Sequence, residues 1–226
     1  MEVRRNIIPK NNFLQKVRSL CNKNKIILIF DECTSGFREN LGGLHLTYKV
    51  NPDLAMFGKA MGNGYAINAI IGKKKYMKNF DKTFVSSTFW TERIGSAAAL
   101  STIDYMKRNK TYLYLKKQGK KIKSTWEKIA KETNVEIEIS SLDTIPIFTF
   151  KSLHNLKKTY FTQEMLKKGF IASNIVYVSI CHNDKILKKY FNNFKLIFEK
   201  IANLKKNELY NELNGRKCFS PFSRLN

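Results

Sequence analysis

A short and continuously apolar run that ends directly in a carboxylate limits what this chain can fold into. Ile26 to Phe30 is rich in β-branched residues, and Asp31 follows it without a break. Such a run is typical of a strand that is buried on both faces of a parallel sheet. Open α/β sheets bind their ligands at the carboxyl ends of their strands, so the sequence predicts a ligand site beside Asp31.

A second apolar run, Leu54 to Phe57, leads to a lysine that lies among glycines. Lys59 comes directly after Gly58, and a Gly62 to Gly64 turn follows it. If Leu54 to Phe57 is a neighbouring strand, Lys59 also lies at a strand end. The spacing therefore predicts that Asp31 and Lys59 face one crevice.

An amine and a carboxylate in this arrangement suit the chemistry of pyridoxal phosphate. The Lys59 amine can form a Schiff base with the aldehyde of the cofactor, and Asp31 can keep the pyridine nitrogen protonated. Taken singly, an aspartate after a strand is more often a turn or capping residue, and a lysine in a glycine-rich loop is more often solvated. The two residues together, with the pattern between them, favour the cofactor.

Five short motifs follow one another in this part of the chain: Phe30-Asp31-Glu32, Gly36-Phe37-Arg38, Pro52-Asp53, Gly58-Lys59-Ala60 and Gly62-Asn63-Gly64. In this order they resemble the class III (ω-type) pyridoxal-phosphate aminotransferases, most closely the glutamate-1-semialdehyde 2,1-aminomutase group. The resemblance implies a mixed α/β fold of fold type I, the cofactor pyridoxal 5'-phosphate, and Lys59 and Asp31 as catalytic and cofactor-binding residues. The implied reaction is a transamination or an intramolecular amino shift on a small amine or aldehyde.

The resemblance also assigns two further cofactor contacts. Cys33 matches the place where the family has a small apolar residue against the pyridine ring. Thr88 matches a threonine that crosses the dimer interface and binds the phosphate of the neighbouring subunit's cofactor. The family's usual Ser-Gly-Asn-Pro continuation is replaced by the sequence from Trp90 to Gly95, and a turn or helix cap is the alternative role for Thr88.

The same resemblance divides the chain into two domains. Residues 1–108 correspond to the C-terminal part of the large cofactor-binding domain, with residues 1–8 matching a strand end, and residues 109–226 to an α+β small domain with a tail from Gly215. The pattern predicts helices from Pro9 to Cys21 and at 95–106, 112–132, 161–168 and 184–204, and strands at 66–72, 135–139, 145–150 and 172–179. The predicted core of the second domain is aromatic: Trp126, Phe148, Phe150, Phe194 and Phe198.

In the family, the preceding half of the large domain carries the first sheet strands, a phosphate-binding turn and an aromatic residue that stacks on the ring. This sequence does not contain that half. We therefore expect a fragment, a subunit of a split enzyme or a decayed remnant, working as a homodimer or with a second chain that supplies the missing half. A catalytically incomplete fragment is the alternative to an active enzyme.

The composition adds a third, remote alternative. The 226 residues carry a formal net charge of +23, which raises RNA binding as a hypothesis and predicts a steep salt dependence of binding to polyanions. The lysines recur along almost the whole chain, and no nucleic-acid-binding module is recognisable. A biased, lysine-rich composition is the simpler explanation.

Cysteines and hydropathy indicate the compartment. The four cysteines are widely spaced and the three histidines are scattered, so the sequence predicts neither disulfides nor a metal site. No apolar run approaches the length of a membrane span, and the N-terminus lacks the apolar core of a signal peptide. We expect a cytoplasmic protein.

Overall fold

The computed structural model describes residues 8–140 and 142–219, and the chain divides into two compact units, Met1–Lys116 and Lys117–Asn226. The predictions for residues 1–8 and for the tail from Gly215 lie largely outside the described residues. The helices are α1 (Phe13–Lys23), α2 (Lys74–Met77), α3 (Arg93–Asn109), α4 (Thr111–Glu132), α5 (His154–Lys167), α6 (Asp184–Asn203) and α7 (Lys206–Asn211). The strands are β1 (Ile29–Asp31), β2 (Leu54–Phe57), β3 (Ala69–Gly72), β4 (Ile137–Ser140) and β5 (Ile147–Phe150).

The first unit contains a three-stranded sheet with the order β1-β2-β3. β1 runs parallel to β2 and pairs Ile29 with Leu54 and Asp31 with Met56. β3 runs antiparallel to β2 and pairs Met56 with Ile70. Paired residues share a face of the sheet, so Asp31 lies on the same face as Met56 and Ile70.

Two apolar clusters belong to the first unit. One contains Leu14 and Cys21 of α1 together with Phe30 of β1. The other joins Ala55 and Phe57 of β2 to Ala99 of α3. The small residues of α3 permit this close packing, since a Cβ at Gly95 would come within 2.6 Å of the Ala66 carbonyl oxygen.

The other face of the sheet is apolar and exposed. Ile29, Met56 and Ile70 expose 52%, 37% and 38% of their surface. The prediction that Ile26 to Phe30 forms a strand buried on both faces is therefore wrong for this chain. The strand is shorter, Ile26 and Ile27 precede it in exposed positions, and β1 is at an edge of the sheet.

We expect the isolated chain to self-associate through this exposed face, because apolar patches and open strand edges favour association in water. Light scattering of the purified chain should give a mass above that of a monomer. Ile29→Lys should lower that mass, since it places a charge on the exposed face. Ser101→Lys, at an exposed position of α3, adds the same charge elsewhere and should not lower the mass. A monodisperse monomer of the unmodified chain would contradict this expectation.

The second unit is built around an aromatic core. β4 and β5 form an antiparallel pair, and all five predicted aromatic residues are at most 1% exposed. Phe148 lies at the centre, with its ring centroid 4.9 Å from that of Trp126 and 5.5 Å from that of Phe194. The buried Trp126 Nε1 donates a hydrogen bond to the Tyr190 hydroxyl at 3.1 Å. The prediction of an aromatic core is confirmed.

Two predicted elements of this unit need correction. The strand predicted at 172–179 is an irregular segment with a single bridge, from Ile175 to Ile147. The Phe148, Val176 and Val178 amides still make backbone hydrogen bonds between this segment and the 144–148 region. The segment therefore pairs with the chain at β5, but not regularly enough to form a strand. The helix predicted at 161–168 begins seven residues earlier, at His154.

Among the described residues, no helix has the length and hydropathy required to cross a membrane.

Candidate active site

Asp31 is the last residue of β1, and its carboxylate is held in place by the turn that follows. Asp31 Oδ1 accepts a hydrogen bond from the Cys33 backbone N–H at 3.0 Å. The side chain is half-buried. A short local bond of this kind orients the carboxylate at the carboxyl end of the strand.

Lys59 begins a single 3₁₀ turn directly after Gly58, which follows the last residue of β2. Its φ of 42° lies in the left-handed region, which residues other than glycine adopt at a cost of about 1 to 3 kcal/mol. The Lys59 Nζ donates a hydrogen bond to Thr34 Oγ1 at 2.5 Å. Thr34 is 2% exposed, so this bond ties the amine to the buried turn after Asp31.

The glycines around Lys59 allow the backbone to turn tightly. A Cβ at Gly62 would come within 2.3 Å of the Tyr65 carbonyl oxygen, and Gly64 has a φ of +105°. Cys33 Sγ lies 3.7 Å from the place that a Cβ would take at Gly58. The turn after β1 therefore lies close to the loop that carries Lys59.

Glu32 organises this turn, a role that was not predicted from the sequence. Its side chain is completely buried, and its carboxylate accepts hydrogen bonds from the Leu44 N–H at 2.9 Å, the His45 N–H at 2.8 Å and the Ser35 hydroxyl. A buried carboxylate without such partners would be strongly destabilising. The sequence did contain a sign of this role, a second charged residue immediately after Asp31. A charge at the end of a strand can be buried only where the fold supplies hydrogen-bond partners for it.

The structure brings three of the four predicted site residues into one region. Asp31 and Lys59 lie at the carboxyl ends of adjacent parallel strands, and Cys33 lies in the turn after β1, close to the loop that carries Lys59. Thr34 joins this cluster through its bond to Lys59 and was missed. Its position three residues after Asp31 was visible in the sequence. That position could be linked to Lys59 only after the structure showed that the two loops lie close together. The catalytic and cofactor-binding roles stay predictions.

Thr88 lies elsewhere in the first unit, in an exposed turn before α3. The neighbouring Glu92 is the N-cap of α3, since its carboxylate accepts hydrogen bonds from the Ile94 N–H at 2.7 Å and the Gly95 N–H at 3.0 Å. Glu92 thus has a structural role that satisfies two amides of the first turn. The role of Thr88 toward a neighbouring subunit stays a prediction.

The residues present fit pyridoxal phosphate by their chemistry. The Lys59 amine matches the need for an aldehyde-reactive group, and the half-buried Asp31 carboxylate matches the need for a negative charge beside a pyridine nitrogen. Among residues 8–140 and 142–219, no group of three or more histidine, cysteine, aspartate or glutamate side chains could hold a metal ion.

Comparison with known proteins gives results for both sequence and fold. The model of a protein family described as aminotransferase class-III matches residues 6–215. A 3-aminobutyryl-CoA aminotransferase of Cloacimonas acidaminovorans is 36% identical over 206 residues, which cover 88% of this chain and 49% of that protein. A glutamate-1-semialdehyde 2,1-aminomutase of Methanococcus maripaludis is 32% identical over 213 residues, covering 86% of this chain and 50% of that protein.

Solved structures show a similar fold. The PLP internal aldimine form of the Sphingopyxis sp. MTA144 FumI protein aligns with a TM-score of 0.79 at 21% identity, covering 85% of this chain and 48% of that chain. An omega-transaminase of Sphaerobacter thermophilus also aligns with a TM-score of 0.79, at 18% identity, covering 88% of this chain and 50% of that chain. The chain spans about half the length of the curated relatives it matches.

Proposed function

Because this chain belongs to the class-III aminotransferase family, we propose that it is the part of a pyridoxal-phosphate-dependent aminotransferase or aminomutase that carries the cofactor-binding lysine. The observation that supports this most directly is the contact between the two strand ends, where Lys59 Nζ bonds to Thr34 of the turn after Asp31. This contact brings an amine and a carboxylate into one region of the sheet.

Each proposed residue has a defined task. Pyridoxal phosphate, when bound, supplies an aldehyde that reacts with amines and a ring that accepts electrons from the carbon next to the amino group. Lys59 would hold the cofactor and, when its amine is free, would remove a proton from the substrate carbon and deliver it to the cofactor carbon. Asp31 keeps the pyridine nitrogen protonated, Cys33 contacts the ring, and Thr88 binds the phosphate of a neighbouring subunit's cofactor.

The substrate class we propose is a small molecule with an amino group, together with a carbonyl acceptor or an aldehyde in the same molecule. The two relatives carry names with different substrates, 3-aminobutyryl-CoA and glutamate-1-semialdehyde, and transfer of an amino group is common to both. In the proposed division, residues 1–108 serve the cofactor and residues 109–226 form the small domain.

The proposed assembly is cytoplasmic and contains more than one chain. A homodimer, or a complex with a second chain that supplies the remaining half of the family fold, would cover the exposed apolar face of the sheet that includes Ile29 and Met56. The alternative, a catalytically incomplete fragment, is supported by the coverage of only about half of each relative.

The test combines this chain with a polypeptide that supplies the other half of the family fold. We expect the purified complex to absorb visible light after pyridoxal phosphate is added. Borohydride reduction should then fix a pyridoxyl group that mass spectrometry locates on the peptide containing Lys59. Without the second polypeptide, we expect weak cofactor binding at best, because the cofactor phosphate then lacks most of its charge-assisted hydrogen bonds. Labelling of Lys73 or Lys75 instead of Lys59 would contradict the proposed site.

A further inference from the structure

Asp53 is a buried carboxylate that lies directly before β2, within the Pro52-Asp53 motif. It is 2% exposed. Its Oδ2 accepts hydrogen bonds from the Leu28 backbone N–H at 2.9 Å and from Arg18 Nη1 at 2.8 Å, and its Oδ1 accepts one from Lys73 Nζ at 2.7 Å. A single side chain therefore joins α1, the start of β1 and the end of β3.

The main chain of Asp53 reinforces these contacts. The Asp53 N–H donates to the Leu28 carbonyl oxygen at 2.8 Å, and the Lys73 N–H donates to the Asp53 carbonyl oxygen at 3.0 Å. Leu28 is thus held by both its N–H and its C=O group. Its position relative to β2 depends directly on Asp53.

The register of β1 against β2 matters because β1 has only three residues. The present register pairs Asp31 with Met56, and the Glu32 N–H donates to the Met56 carbonyl oxygen at 2.8 Å. A slip by one residue would turn the Asp31 side chain to the opposite face of the sheet. A three-residue strand makes few hydrogen bonds with β2. These few bonds alone are not enough to prevent the slip.

We infer that Asp53 is a positioning residue that sets the register of β1 on β2 through Leu28, and so fixes Asp31 relative to the loop that carries Lys59. The register itself can be measured without cofactor, and its importance for catalysis rests on the proposed function. Asp53 acts from the amino ends of the strands, while the proposed chemistry takes place at their carboxyl ends.

The electrostatics of Asp53 agree with this role. Burial opposes its ionisation, but the hydrogen bonds from the Leu28 N–H, Lys73 and Arg18 outweigh burial and hold the pKa of the carboxyl well below its usual value. Since the pKa is lower in the folded chain, the charged form contributes stability above the unfolded pKa of about 3.9. That contribution is lost only as the pH falls below this value, so the contacts persist throughout the neutral range.

The test is amide hydrogen exchange of the full chain, without cofactor, for Asp53→Ala and Asp53→Asn. Asp53→Ala should accelerate exchange of the Leu28 amide and, at the far end of β1, of the Glu32 amide by roughly 10- to 100-fold. Asp53→Asn keeps an oxygen that can accept from Leu28, so we expect a smaller acceleration. Asp104→Asn, which removes an exposed carboxylate paired with Arg108 at 2.8 Å, is the matched control and should change neither amide.

The Glu32 amide separates positioning from general stability. A purely structural role for Asp53 predicts equal acceleration throughout α3, whereas a register role predicts a larger effect at Glu32. If Asp53→Ala does not fold, Arg18→Gln and Lys73→Gln each remove one partner and should accelerate Glu32 exchange by about two- to tenfold. Unchanged Glu32 exchange in the folded variants, or equal acceleration in α3, overturns the inference. Neither result depends on whether Lys59 is the residue that reacts with the cofactor.

Discussion

In the complex with a second chain that supplies the other half of the fold, Lys59→Ala is expected to abolish both the pyridoxyl label and turnover. The amine is required twice, to hold the cofactor and to move the proton at the substrate carbon, and proton transfer alone is worth about 10²- to 10⁴-fold. We therefore expect turnover to fall by at least about 10³-fold, measured with an amino donor and a carbonyl acceptor.

Two controls make the Lys59 result specific. Lys59→Arg keeps the positive charge but cannot react with an aldehyde, so it should be as inactive as Lys59→Ala. Lys74→Ala removes an exposed lysine of α2 and should leave labelling and turnover unchanged. Turnover of Lys59→Ala within tenfold of the unmodified complex would show that the proposed chemistry depends on another residue.

Asp31→Asn is expected to give a different result: the pyridoxyl label is still formed, but turnover is largely lost. Lys59 is unchanged in this variant, so borohydride should still fix a pyridoxyl group on its peptide. The neutral amide cannot stabilise a protonated pyridine nitrogen, and the ring then loses much of its capacity to accept electrons. Loss of a group that stabilises charge in this way typically lowers kcat by about 10²- to 10³-fold.

The comparison with Asp81→Asn tests whether this effect is local. Asp81 is an exposed aspartate of the same unit, so its replacement changes the charge equally and should leave kcat unchanged. Labelling and turnover lost together in Asp31→Asn would indicate that Asp31 is needed for binding rather than for catalysis. Full turnover in this variant would remove Asp31 from the mechanism.

Part of the fold could be predicted from local sequence because its signals lie within single elements. The helices α3, α4 and α6 were predicted to within a few residues, since their apolar periodicity spans several turns. The candidate residues Asp31 and Lys59 were found from the apolar runs and glycines beside them. The aromatic residues of the second unit were assigned to its core by their size and spacing, and their burial confirms this assignment.

Only the tertiary structure decided which polar groups pair when the two partners are distant in the sequence. The buried Glu32 and Asp53 are satisfied by Leu44 and Leu28, which lie 12 and 25 residues away, and Thr34 meets Lys59 across 25 residues. Whether an apolar run is buried also depends on other elements, which is why the sequence alone predicted two buried faces for the run that includes Ile29. Local patterns determine which residues can form a strand or react with a cofactor, whereas long-range hydrogen bonds and packing determine which of these groups meet.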